Sequence, residues 1–169
     1  MTYIALFAIL IGICSWITIP GAVPFTLQTF GVFLAILVLG GKRGTAAVLL
    51  YIFIGFIGIP VFSGFKGGIG VILGNTGGYI LGFIFTALLM WLFEFLFQNR
   101  LQMFSMLLGL LLCYLTGTLW YFFAYAGSNE HSITAILTYC VLPFIIPDCI
   151  KLVLAYFLGK KLRIILSRI

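Results

Sequence analysis

Asp148 and Lys151 stand out in a chain that holds only three acids and one histidine among 169 residues. They lie in "PFIIPDCIK", residues 143–151, where Pro143 and Pro147 interrupt an apolar run. At i and i+3 of a helix both side chains leave from one face, so they can pair with each other or hold one shared ligand. A helix break at Pro147 would free the next N–H groups, which favour a negative charge at Asp148. An acid and an amine so placed could also pin helix packing and bind nothing.

Composition decides which elements carry this pair. The chain is 64% hydrophobic and 7% charged, with mean hydropathy +1.31, far from any water-soluble domain. Its length accommodates roughly six spans of about 20 residues and no sizeable extramembrane part. The apolar runs are continuous on both faces, which suits helices and not a closed barrel. The expectation is an all-α integral membrane protein: one membrane domain over 1–169, a compact bundle of six transmembrane helices near 3–18, 25–40, 44–59, 77–97, 101–124 and 134–159. Residues 3–17 read as the first helix and not a signal peptide, since no Lys or Arg precedes them and no A-x-A follows. Ile13 stands where lipid attachment at Cys14 would need a small residue. Cys14, Cys113, Cys140 and Cys149 have no C-x-x-C spacing and read as small buried side chains, not a metal or redox site.

Charge orients the bundle. Lys42 and Arg43 close the second helix, Arg100 the fourth, and Lys160, Lys161, Arg163 and Arg168 the sixth. The opposite side receives Lys66, Glu130 and His131, so both termini are expected in the cytoplasm by the positive-inside rule. The net charge of +6 then reports topology and contact with anionic membrane lipid, not nucleic acid.

With that orientation, the second, fourth and sixth helices all begin outside, each with a polar cluster. "PGAVPFTLQTF" brings Thr26, Gln28 and Thr29 after Pro20 and Pro24; "GGIGVILGNTGGY" brings Asn75 and Tyr79; the third cluster is Asp148 and Lys151. Asp148 lies 12 residues before Lys160, or about 18 Å along a helix, in the outer half of a core of about 30 Å. An ionised group there costs on the order of 3 kcal/mol and is expected to face protein or a wet cavity. Gln28, Asn75, Tyr79 and Asp148 offer donors and acceptors, Lys151 a cation, and Phe25, Phe30, Phe62 and Phe83 an apolar wall. Such a site suits a small organic molecule with an apolar body, a hydrogen-bonding head and one carboxylate. A metal would want more carboxylates or histidines.

The stretches "IPGAVPFTLQTFGVFLAILVLGGKRG", "LLYIFIGFIGIPVFSGFKGGIGVILGNTGGYILGF" and "IPDCIK" closely resemble the BioY family of biotin transport proteins. The resemblance covers most of residues 17–83 and 143–160, in the family's order and spacing. It implies the substrate-capture S component of an energy-coupling factor (ECF) transporter in the prokaryotic cell membrane: a six-helix protein that binds biotin from outside and works with a transmembrane scaffold subunit and two ATPase subunits. Asn75 and Asp148 match positions associated with the ureido head, and Tyr79 and Lys151 sit in the same motifs. On that basis Asp148 accepts from a ureido N–H, Asn75 completes the head-group bonds, and aromatic residues cover the rings and valeryl chain. Lys151 could neutralise Asp148 or meet the ligand carboxylate; its spacing favours the first, and Lys66 could serve the tail.

No cofactor and no enzymatic activity are expected. The chain has no G-x-x-x-x-G-K-[ST], so ATP hydrolysis would belong to the partners. "GGIGVILG", residues 67–74, reads as an outer lid or helix-start loop. His131 beside Glu130 has no catalytic company. Small residues let helices approach closely in lipid; Ala5, Ala8 and Gly12 are the candidate docking stripe on the first helix, part of an alanine-rich pattern in similar S components. Gly78 and Gly82, and Gly55 and Gly58, read as packing within the bundle, and Glu94 could pair with Arg100. The competing class is a self-sufficient carrier or channel, for which inverted repeats would be expected; the two halves share no convincing motif content.

Overall fold

The computed structural model describes residues 1–20, 24–98, 100–125, 138 and 141–166. Glu130, His131, Cys140, Arg168 and residues 134–137 of the sixth expected helix lie outside the described residues.

The described residues form an all-helical bundle. Its elements are α1 (Thr2–Trp16), the short strands β1 (Thr18–Ile19) and β2 (Phe25–Thr26), α2 (Gln28–Leu39), α3 (Gly41–Phe56), α4 (Ile69–Ile72), α5 (Gly77–Phe97), α6 (Gln102–Tyr125) and α7 (Leu142–Leu166). Three of them, α5, α6 and α7, are long and apolar enough to cross a membrane. The apolar α1 and α2 are shorter, at 15 and 12 residues.

The last helix runs on past its expected end at 159 to Leu166, and three other expected boundaries move for identifiable reasons. Residues 25–26 open no helix. They pair antiparallel with β1, Thr18 opposite Thr26 and Ile19 opposite Phe25, because Pro20 and Pro24 favour an extended chain before the first helical turn. The third helix starts at Gly41, since Gly40 (φ +79°) turns the chain, and ends at Phe56, two residues before Gly58 (φ +106°). Gly58 therefore makes a turn, not a packing contact.

The core forms around α2. Nine of its twelve residues are buried, and it packs against α1, α3, α5 and α7, while α5 pairs most extensively with α6. Close approaches use glycine: a Cβ on Gly78 would run into Trp120, and one on Gly82 into the Thr116 hydroxyl and Cys113. That pair packs α5 within the bundle, as its spacing predicts.

Cys14 and Cys113 are buried, as expected, whereas Cys149 is exposed. Pro147 does not break the last helix; α7 runs through it from Leu142 to Leu166. The charge on Asp148 is met by side chains instead, as described below.

At the other end of the bundle, Glu94 does not pair with Arg100. Its Oε1 accepts from the Arg163 guanidinium at 3.0 Å, and its Oε2 accepts the backbone N–H of Gly41 at the start of α3. A carboxylate at a helix N-terminus meets unsatisfied donors and a favourable dipole, so Glu94 staples α3, α5 and α7 together where Lys42 and Arg43 emerge. Both partners are partly exposed, which limits the value of the pair. Glu94→Ala is expected to lower the melting temperature by about 2–4 °C and leave ligand affinity unchanged, checked by thermal unfolding and titration of the detergent-solubilised protein.

Candidate ligand-binding site

The opposite end holds a cavity of ≈ 410 Å³ between α2, α5, α6, α7 and the loops that precede α2 and α5. That volume falls within the range of small-molecule pockets, about 300–1,000 Å³. Its rim carries exposed Pro20, Gly64, Lys66 and Gly70, and its floor the buried Gln28, Phe62, Asp148 and Lys151.

The floor is built around one carboxylate. Asp148 and Lys151 are 4% and 5% exposed, and Lys151 Nζ lies 2.7 Å from Asp148 Oδ1. Thr29 Oγ1 donates to the same oxygen at 3.1 Å, and the Tyr114 hydroxyl donates to Oδ2 at 2.6 Å. Lys151 also donates to the carbonyl of Thr26 at 2.6 Å and stands 3.7 Å from the centre of the Phe25 ring. The ammonium thus ties the β1–β2 hairpin to α7. Two charges out of water hold only with close pairing of this kind, and removing one partner of a buried pair costs about 3–5 kcal/mol.

The other walls come from four segments. Gln28 donates through Nε2 to the buried Tyr51 hydroxyl at 2.7 Å, which fixes its amide at the cavity edge. The Phe62 ring occupies the space that a Cβ on Gly55 would need and meets Tyr51 edge-on at 5.6 Å. Phe62 is hydrogen-bonded through its backbone to Lys66, at 2.9 and 3.3 Å, so Lys66 projects from a tight loop beside the opening. That loop is anchored on the end of α1 and on the hairpin: Trp16 Nε1 donates to Pro60 O at 2.8 Å, the Thr18 and Ser63 hydroxyls are 3.0 Å apart, and Trp16 stacks on Phe65.

The α4–α5 turn presents Asn75, and Trp120 on α6 holds it by donating to Gly74 O at 3.0 Å. Tyr79 one turn later lies on Gly117, where any Cβ would strike its ring. Of the two readings of residues 67–74, lid or helix-start loop, the second describes what is seen: Gly68 (φ +93°) opens α4, and Gly77 lies so close to Ile72 O that no side chain fits.

Eight of the ten ligand-site residues named from sequence border this cavity: Gln28, Phe62, Lys66, Asn75, Tyr79, Phe83, Asp148 and Lys151. Phe25 does not. It lies behind Lys151 and stacks on Phe144, ring centres 6.1 Å apart, and Phe144 supplies the wall in its place; Phe30 is likewise absent from the lining while Phe83 is in it. Tyr114 was missed. Its signal was a phenol among leucines in "LLLCYLTG", a polar tip that needs a partner wherever it is buried. On α1, Ala8 and Gly12 turn inward, Ala8 at 1% exposure and Gly12 against Val61; Ala5 alone of the three is exposed.

Comparison with known proteins finds likeness over nearly the whole chain. A sequence model of the BioY family matches residues 1–168. "Probable biotin transporter BioY" of Pyrococcus horikoshii is 40% identical over 164 residues, covering 96% of this chain and 95% of that protein. "Biotin transporter BioY" of Thermotoga maritima is also 40% identical over 164 residues, covering 94% and 92%. The crystal structure of an S-component for biotin from an ECF-type ABC transporter superposes with a TM-score of 0.84 at 31% identity, covering 96% of this chain and 89% of that one. With its helical bundle, its cavity above a buried ion pair and these likenesses along its length, the chain belongs to the BioY family.

Proposed function

We propose that the chain is the biotin-capture subunit of an ECF-type uptake transporter in the prokaryotic cell membrane. The observation that carries this reading is the cavity floor: a buried carboxylate held by three donors and open to a fourth beneath Asn75 and Tyr79, with an apolar wall and a cation at the rim. A cyclic urea supplies one N–H for Asp148 and a carbonyl for the Asn75 amide. The sulfur-containing ring and the valeryl chain fit Phe62, Phe83 and Phe144, and the carboxylate reaches toward Lys66.

Six crossings with both termini in the cytoplasm fit the alternation of the described helices, which brings Glu94, Gly41 and Arg163 to the end opposite the cavity. The short α2 makes its crossing together with the hairpin before it. Scaffold and ATPase subunits would supply the energy, and the outward face of α1, with Ala5, Leu6, Ile9 and Ile13 exposed, is the proposed docking face. Ala8 and Gly12 are already engaged inside the bundle.

Mass identification of the ligand that co-purifies with the detergent-solubilised chain tests the reading. Biotin in stoichiometric amount is expected; another molecule, or gradient-driven uptake by this chain alone in vesicles, would overturn it. The place of the tail is tested separately. Lys66→Gln is expected to weaken biotin binding by about 3–10-fold, the value of one exposed charge contact, and to leave the affinity for biotin amide unchanged; equal losses for both ligands would remove Lys66 from the tail site.

A further inference from the structure

A carboxylate has about four acceptor directions, and the ligand-free structure already uses three of those on Asp148. Lys151 and Thr29 occupy Oδ1, and Tyr114 occupies one direction of Oδ2. We infer that Tyr114 is a positioning residue for the ligand: its hydroxyl fixes the carboxylate of Asp148 and leaves a single acceptor direction, on Oδ2, for one N–H of the bound head group. This rests on the reading of the cavity as a biotin site.

The three donors come from three helices. Lys151 holds Asp148 from its own α7, Thr29 from α2 and Tyr114 from α6, so the carboxylate plane is set by the bundle and not by its own rotamer. The share of Tyr114 is distinctive because α6 otherwise touches α7 little, and its 2.6 Å bond is of the short, charge-assisted kind. With its proton given to Asp148, the hydroxyl has only acceptor capacity left for a ligand. A cyclic urea, whose two N–H groups point to opposite sides of the ring, needs one acceptor on each side. One open direction on Asp148 meets that need, and a freely turning carboxylate with two would not hold the head in a single pose.

The test is a double-mutant cycle on biotin affinity, measured by titration. Tyr114→Phe keeps the ring and removes the donor; it is expected to raise the dissociation constant about tenfold. In the Asp148→Asn background the same change should alter affinity less than about twofold, because the group Tyr114 acts through has gone. Equal losses in both backgrounds, or no loss in either, would overturn the inference. If Asp148→Asn does not fold, Thr29→Val combined with Tyr114→Phe supplies the cycle: effects that fail to multiply support a shared carboxylate, and effects that multiply contradict it. If the unaltered chain binds no biotin, the functional reading falls by itself. The pairing is then judged by melting temperatures of the ligand-free single and double variants, where non-additive shifts keep it and additive shifts end it.

Discussion

Asp148→Asn is expected to raise the dissociation constant for biotin about 100-fold or more, a loss of roughly 2.8 kcal/mol. The substitution is nearly isosteric, so the cavity keeps its shape, but the acceptor facing the ligand becomes a neutral amide oxygen or, in the other flip, a donor. Hydrogen bonds to charged groups are worth about 1.5–3 kcal/mol, and the Lys151 ammonium, 5% exposed, loses its counter-charge at the same time. Part of the loss therefore appears as reorganisation of the empty site. Titration calorimetry on the purified variant measures it, and an affinity within threefold of the parent would show that the carboxylate does not face the ligand.

Lys151→Met is expected to act mainly on stability. The ammonium neutralises Asp148 and holds the carbonyl of Thr26, so its removal leaves a buried uncompensated carboxylate and releases the β1–β2 hairpin from α7. Breaking one side of such a pair costs about 3–5 kcal/mol, which for a chain of this size lowers the melting temperature by on the order of 10 °C. Adding Asp148→Asn removes the uncompensated charge and should recover most of that stability without restoring biotin binding. Stability and binding would then separate within one pair of residues, as expected for charges kept for a ligand. If the double variant is no more stable than Lys151→Met alone, the pair is not the energetic unit described above.

The sequence reveals the helices that lipid dictates and hides those that protein surrounds. α5 matches its expected span at both ends because a long apolar run between "NT" and "QNR" has few other ways to satisfy its backbone in a membrane. The expected second helix, 25–40, takes in β2 along with α2, since an apolar run cannot reveal that Pro20 and Pro24 extend the chain against a cavity. The same division holds for the site. Asp148, Lys151, Asn75 and Gln28 are legible because polar residues in so apolar a chain are conspicuous. Phe25 and Phe144 could not be told apart, as eighteen phenylalanines look alike until packing assigns one to the wall and another to the space behind Lys151. Tyr114 depended on knowing which face of α6 looks at Asp148. The partner of Glu94 was hidden for a related reason: Arg163 is distant in sequence, and it is near only because α5 and α7 end together.

The account stands or falls on whether the buried pair on α7 lies beneath a bound biotin, and a structure of the chain with biotin bound tests this most directly. It is expected to place one ureido N–H within about 3.2 Å of Asp148 Oδ2, with Tyr114 still bonded to that oxygen and the ureido carbonyl beside Asn75. A ligand lodged elsewhere, or a head group turned away from Asp148 toward the rim, would contradict it.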